Sequence, residues 1–307
     1  MAVNNIFISG MEKCGTTALA EWMVVNGLAE YRVPGVKEPY LYSSDELHPA
    51  KFRLGNLPLL DASVGYACDP GAVRRLPEYD TRIVLCLRNQ FERTWSSYKM
   101  KKLFGTEGAN ADEYFLSYSK GSNPGRKRNA STSLKFMHAL FKKHFPRRSH
   151  AIIEQYVDQE LAHIQSHDFM ARIEYELGFY LSRREFPFFS ILLGSFYHHP
   201  LRNVLRKYQP SDISVISVNR LKDDGLRRQF VEGVLEKALD TPAIPAIFSS
   251  AEIEIDEPKP DFSDKAFDML RAAFRYDLAA MRGLVGDTRF GDSMLDNAAL
   301  ERHLDAR

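Results

Sequence analysis

The stretch richest in chemistry lies near the start of the chain. Gly10-Met-Glu-Lys-Cys-Gly-Thr-Thr17 sets one ammonium, Lys13, among glycines and hydroxyl-bearing residues. Placed between a strand and a helix, such a loop offers the backbone N–H groups of Gly15, Thr16 and Thr17, with the helix dipole behind them, to a phosphate. A nucleotide kinase or other P-loop NTPase carries its lysine directly after the second glycine, followed by the Ser or Thr that holds magnesium. Here Thr16 occupies that slot and Lys13 precedes Gly15. The cradle is retained and the lysine is displaced, so a different reaction at the phosphate is expected.

The elements needed to hold that loop are legible around it. Val3 to Ser9 is a short apolar run of the kind a buried parallel strand presents, and Thr16 to Asn26 carries Leu19, Trp22, Met23 and Val24 at helical spacing before Gly27. Arg82-Ile-Val-Leu-Cys-Leu87 predicts a second strand, followed by a helix from Phe91 to about Leu103, and Ile213 to Val218 predicts a third. Strands separated by helices in this way imply an α/β fold with a P-loop-like parallel sheet flanked by helices. Residues 101–208 read mainly as helices and loops, an insertion expected to form the acceptor side, broken by polar turns at Gly121 to Asn129 and at Arg147-Arg148-Ser149. Phe267, Leu270, Phe274, Leu278 and Met281 step by three or four, so one long amphipathic helix closes the body. The expected organisation is a single domain over 1–286 with a loosely held C-terminal tail over 287–307.

With these residues in view, Gly10-xx-Lys13-Cys14-Gly15-Thr16-Thr17-Ala-Leu19 resembles the 5′-phosphosulfate loop of sulfotransferases that use 3′-phosphoadenosine 5′-phosphosulfate (PAPS). Two further segments resemble the same family, closest to its carbohydrate-type and bacterial members. Members hold the nucleotide 3′-phosphate with an Arg at a strand end and a Ser eight residues on, which here are Arg88 and Ser96 in Leu85-Cys-Leu-Arg88-Asn-Gln-Phe-Glu-Arg93-Thr-Trp-Ser96. Open α/β sheets bind ligands at the carboxyl ends of their strands, and a planar guanidinium suits phosphate. Arg93 is read either as a second phosphate contact or as a helix-surface charge, and Gln90 stands where relatives usually have Pro. Val36-Lys37-Glu38-Pro39-Tyr40-Leu41-Tyr42 resembles the family's Lys-Glu-Pro-His-Phe-Phe segment, whose Glu is the general base. A carboxylate within hydrogen-bond reach of an acceptor hydroxyl can take its proton. Asp61, Ser63 and Tyr66 match an acidic-Lys-Ser-Pro-x-Tyr segment with Ala62 in place of the Lys, which leaves Lys37 or the middle third to supply that charge. The C-terminal Lys-Gly-Arg type segment that grips the 3′-phosphate elsewhere has no recognisable counterpart.

The resemblance implies in-line transfer of a sulfuryl group from PAPS, leaving 3′-phosphoadenosine 5′-phosphate (PAP), to a hydroxyl or amine of a glycan or small secondary metabolite. Lys13 and Glu38 would be catalytic, and Lys13, Cys14, Gly15, Thr16, Thr17, Arg88 and Ser96 would hold the nucleotide. The scheme requires no metal, and no His/Cys cluster with ligand spacing is present. Two other readings stay open, a P-loop nucleotide kinase or NTPase and a non-catalytic adenosine bisphosphate-binding protein. Forty-one Lys and Arg against 40 Asp and Glu leave no positive excess for a nucleic-acid backbone, and no apolar run is long enough to span a bilayer. Cys14, Cys68 and Cys86, with no signal-peptide pattern at the start, lead to the expectation of a cytoplasmic protein. Phe179, Tyr180, Phe186, Phe188, Phe189, Phe196 and Tyr197 are read as core before sugar platform, and Arg126-Lys-Arg128 and Lys142-Lys143 as solvated faces.

Overall fold

The computed structural model describes residues 3–43, 56–103, 141–142, 149–236 and 255–305. Five parallel strands form one sheet in the order β2-β3-β1-β4-β5, with β1 at Asn5–Gly10, β2 at Glu30–Tyr31, β3 at Leu59–Asp61, β4 at Thr81–Cys86 and β5 at Ile213–Ile216. The central strands read as unbroken apolar runs because helices cover both faces. Ile6, Phe7, Ile8, Ile83, Val84 and Ile213 are all buried in one continuous core. The chain leaves β1 toward β2 and β3, then crosses back to β4 and β5. The connections that leave the carboxyl ends of β1 and β4 therefore run in opposite directions, which is the topological switch point of the sheet.

Helix α1, Thr16–Val25, follows β1 directly and buries Leu19, Trp22 and Met23. Helix α2, Pro70–Arg75, is capped by Asp69, and α3, Gln90–Lys102, by Asn89, whose side chain accepts the Glu92 N–H at 3.0 Å. The middle third contributes α4, His150–Ser166, α5, Phe169–Arg183, and α6, His198–Leu205. Helices α7, Asp224–Leu235, and α8, Asp268–Val285, complete the covering layers. The expected long closing helix is α8, burying Leu270, Phe274, Leu278 and Met281. The third predicted strand ends two residues early, because Val218 already begins a short 3₁₀ turn. The turns expected at 121–129 and 147–148, the Arg126-Lys-Arg128 patch and Lys143 lie outside the described residues.

Most of the middle-third aromatics are packed. Phe189 and Tyr197 are buried, and Tyr180, Phe186, Phe196 and Phe274 form a ladder with successive ring centroids 4.8, 5.7 and 5.5 Å apart. The segment after Gly286 corrects an expectation. Instead of a loose tail, it buries Met294, Leu295, Leu300 and Leu304 and forms α9, Asn297–Glu301. Its anchor is polar as well as apolar, since the Asn89 amide donates to the carbonyls of Ala299 at 2.9 Å and Arg302 at 2.7 Å. The reason is that its leucines are too few and too widely spaced to announce a packed face. Leu300→Ala is accordingly expected to cost about 2 to 5 kcal/mol in urea denaturation, the ordinary range for a buried Leu→Ala change, where a loose tail would cost almost nothing.

Candidate active site

The loop after β1 is shaped by Gly15, at φ +87°, which turns the chain into α1. A Cβ there would lie 3.2 Å from the Val218 side chain, so the turn requires both the left-handed conformation and the missing side chain. The first bond of the helix runs from the Leu19 N–H to the Gly15 carbonyl at 3.1 Å. The N–H groups of Thr16, Thr17 and Ala18 thus have no carbonyl to reach within the helix and remain open to an anion.

Glu12, which sequence reasoning passed over, holds this loop from beneath. Its carboxylate takes Arg93 Nη2 and Lys101 Nζ at 3.1 Å each and the Ser97 hydroxyl at 3.0 Å. Burial opposes its charge, but Lys101 and Arg93 prevail and hold its pKa at about 2. Arg93 is therefore neither of the things its sequence position suggested. It is 1% exposed, and it also donates to the carbonyls of Glu12 and Ile191 and to Ser195 Oγ. Its guanidinium passes Gly194 where a Cβ would sit 2.5 Å from Nη2. Lys101 adds a bond to the Ser190 carbonyl at 2.8 Å. The only sequence signal was Glu12 itself, since an acid in an anion-binding loop has to be neutralised by something.

Lys13, half-buried at φ +66°, stands over that cluster. Burial brings its pKa down to about 8; Glu12 works against this, and the positive charges of Arg88, Arg93 and Lys101 reinforce it. A bound anion would act the other way through its charge, favouring the ammonium form. Cys14 is buried with its thiol pushed up to about 11, mainly by burial, which leaves it a packing residue with its backbone in the loop. Arg88 leaves the end of β4 with its side chain 42% exposed and 3.9 Å from Glu92. Glu92 also receives Lys259 Nζ at 2.6 Å and lies 3.7 Å from His303 Nε2, so three segments meet at one carboxylate. Neither Lys259 nor His303 carried a motif. Ser96, two turns into α3, is buried and bonds to no described residue.

A third segment reaches the same end of the sheet. The Ala62 N–H, just past β3, bonds to the Lys37 carbonyl at 3.0 Å, and Ser63 Oγ accepts the Tyr40 N–H at 3.0 Å. Buried Asp61 accepts from the Ser63 N–H and hydroxyl at 3.0 and 2.6 Å and from the Tyr66 hydroxyl at 3.2 Å. Burial raises its pKa to about 6, against the pull of those bonds and of Arg32. The ledge so formed carries Glu38, whose carboxylate is paired with Lys37 Nζ and accepts the Tyr40 hydroxyl at 2.8 Å. Ala62 is fully buried, and Lys37 pairs with the Glu38 carboxylate. His199 is exposed and His198 half-buried at the start of α6. Among the described residues no group of three or more His, Cys, Asp and Glu gathers to hold a metal, and no helix is long and apolar enough to cross a membrane.

A fold of this kind belongs to a protein class already known in atomic detail. The chain superposes on a crystal structure of a sulfotransferase from Alicyclobacillus acidocaldarius with a TM-score of 0.53 and 17% identity, covering 98% of this chain and 100% of the other. No protein-family model and no curated protein sequence matches it. The likeness is one of fold: a five-stranded parallel sheet flanked by helices, as in sulfotransferases.

The Glu12 cluster gives a pH-dependent expectation. Its folded-state pKa lies below the ordinary 4.5, so the stability it contributes is present above about pH 4.5 and is lost as pH falls toward 2. Glu12→Gln strands Arg93 and Lys101 in the interior and is expected to cost about 3 to 5 kcal/mol at pH 7. In chemical denaturation series the native and Gln proteins should converge below pH 4.5. A constant gap down to pH 2 would remove Glu12 from this role.

Proposed function

We propose that this chain is a PAPS-dependent sulfotransferase that moves the sulfuryl group, by in-line displacement, to a hydroxyl or amine of a glycan or small secondary metabolite. The observation that carries the proposal is the placement of two elements suited to phosphate at one topological switch point: the Lys13 loop after β1 and Arg88 after the adjacent β4. Arg88 acts electrostatically on Lys13, so the two cations share one field. The fold likeness to a known sulfotransferase supports the same reading.

PAPS, when bound, supplies an activated sulfuryl group and a leaving phosphate on which negative charge grows. Lys13, the Gly15 turn and the open amides of Thr16 and Thr17 are suited to stabilise that charge, in a site that costs no reorganisation as it develops. Arg88 and Ser96 would take the 3′-phosphate, with Lys259 a nearby cation and His303 a nearby ring N–H able to serve where the C-terminal gripping segment is absent. Glu38, held on its ledge by Tyr40 and Lys37, would accept the acceptor proton. Holding both substrates in line contributes the remainder.

Isothermal calorimetry should give PAP a tighter complex than adenosine 5′-phosphate by about one to two orders of magnitude, the worth of a charge-assisted fork on the extra phosphate. Arg88→Ala should bring the two ligands together, and chelation of magnesium should leave both affinities intact. Equal affinity in the native protein would sink the assignment of the pocket. Once an acceptor screen read by mass gain has found a substrate, Glu38→Gln should lower single-turnover transfer by about a hundredfold to ten-thousandfold with PAP affinity unchanged. Near-normal transfer by that variant would dismiss Glu38 as the base.

A further inference from the structure

Arg88 has one side-chain partner among the described residues, Glu92 at 3.9 Å, which is too distant to orient a guanidinium. The backbone from which it starts is held by one tyrosine. The Tyr197 hydroxyl donates to the Arg88 carbonyl at 2.5 Å and faces the Arg88 N–H at 3.4 Å. The same oxygen lies 3.9 Å from Cys14 Sγ, in the loop after β1. Tyr197 therefore bridges these two elements from below.

The tyrosine is itself held. Asp277, on α8, accepts the N–H groups of Tyr197 at 2.7 Å and His198 at 3.1 Å, capping the start of α6. Its Oδ2 also accepts the Gln90 amide at 3.0 Å, and Gln90 donates further to the Ser195 carbonyl at 2.8 Å. Gln90 is two residues from Arg88 and fully buried, as are Tyr197 and, nearly, Asp277. A closed circuit results, from the Gln90 side chain through Asp277 and the Tyr197 backbone to the Tyr197 hydroxyl and back to Arg88. These buried groups restrain one another through their donors, while Gln90 Oε1 itself meets no described partner. Gln90, the residue found in place of the usual Pro, thereby becomes part of how Arg88 is aimed.

We infer that Tyr197, held by Asp277 and Gln90, is a positioning residue that aims Arg88 at the second phosphate of an adenosine bisphosphate bound beside the Lys13 loop. This rests on the function proposed above. Tyr197→Phe keeps the ring in the core and removes only the hydroxyl, so it separates aiming from packing.

Calorimetry with PAP and adenosine 5′-phosphate, on the native protein, Tyr197→Phe, Arg88→Ala and the double variant, tests it. The phenylalanine variant should lose about five- to tenfold of the preference for PAP while binding adenosine 5′-phosphate as before. The double variant should show the same preference as Arg88→Ala alone, because a residue acting through Arg88 has nothing left to act on. A native preference that survives Tyr197→Phe overturns the inference, as does a double variant that loses clearly more than Arg88→Ala. Loss of affinity for both nucleotides in parallel would reduce Tyr197 to a structural role and also overturn it. If Tyr197→Phe does not fold, Gln90→Met replaces it, with a smaller loss of preference expected and an unchanged preference counting against the circuit. A native protein that binds both nucleotides equally fails the functional reading itself, a result distinct from the others.

Discussion

The carboxylate of Glu12, in the loop after β1, is the charge around which the interior beneath that loop is organised. Arg93 and Lys101 engage it from below and draw its charge away from the open amides at the start of α1. Those two cations are in turn tied to the carbonyls of Ile191 and Ser190. The 190–192 turn is itself gripped by buried Glu176, which accepts the N–H groups of Ile191 at 2.8 Å and Leu192 at 3.0 Å and pairs with Arg172. One alternating series of charges thus runs from α5 to the loop after β1. Breaking such a series at any member leaves a charge stranded in low dielectric, which is why its members stand or fall together.

Above this series, the site is divided by task. The Lys13 loop and Arg88 flank the switch point between β1 and β4, whereas Glu38 rides on a ledge fixed to the end of β3. The ledge depends on Asp61, whose buried carboxylate reaches Glu38 only through Ser63 and Tyr40. The Lys13 loop and the Glu38 ledge are therefore supported by different acids, Glu12 under the one and Asp61 under the other. Each can be altered without dismantling the other.

The parts of the site that could be read from the sequence are those whose meaning is local. A strand, a glycine turn and a helix start within some fifteen residues, and the polar break after a buried strand marks Arg88. What escaped was long-range. Arg93 looks like a surface cation until Glu12, eighty-one positions away, is seen beneath it. Tyr197 is one aromatic among many until its hydroxyl is found on the Arg88 carbonyl. Strands β2 and β3 are two and three residues long, too short for a periodic signal, and they exist because β1 and one another offer edges to pair with. The packed C-terminal segment was missed for a similar reason, since its hold on the body is carried by Asn89 and by three leucines with no regular spacing.

The hold of Asn89 on residues 299–302 also bears on how the protein comes into being. Asn89 caps α3 and is the immediate neighbour of Arg88, yet its amide is satisfied by carbonyls more than two hundred positions downstream. While the chain is still emerging from a ribosome, every strand of the sheet can pair before those carbonyls have been synthesised. The start of α3 would then wait with an unmet buried donor beside its key cation. The surroundings of Arg88 are, on this topology, the last part of the sheet's carboxyl edge to mature, and a nascent chain has its sheet well before the start of α3 is satisfied.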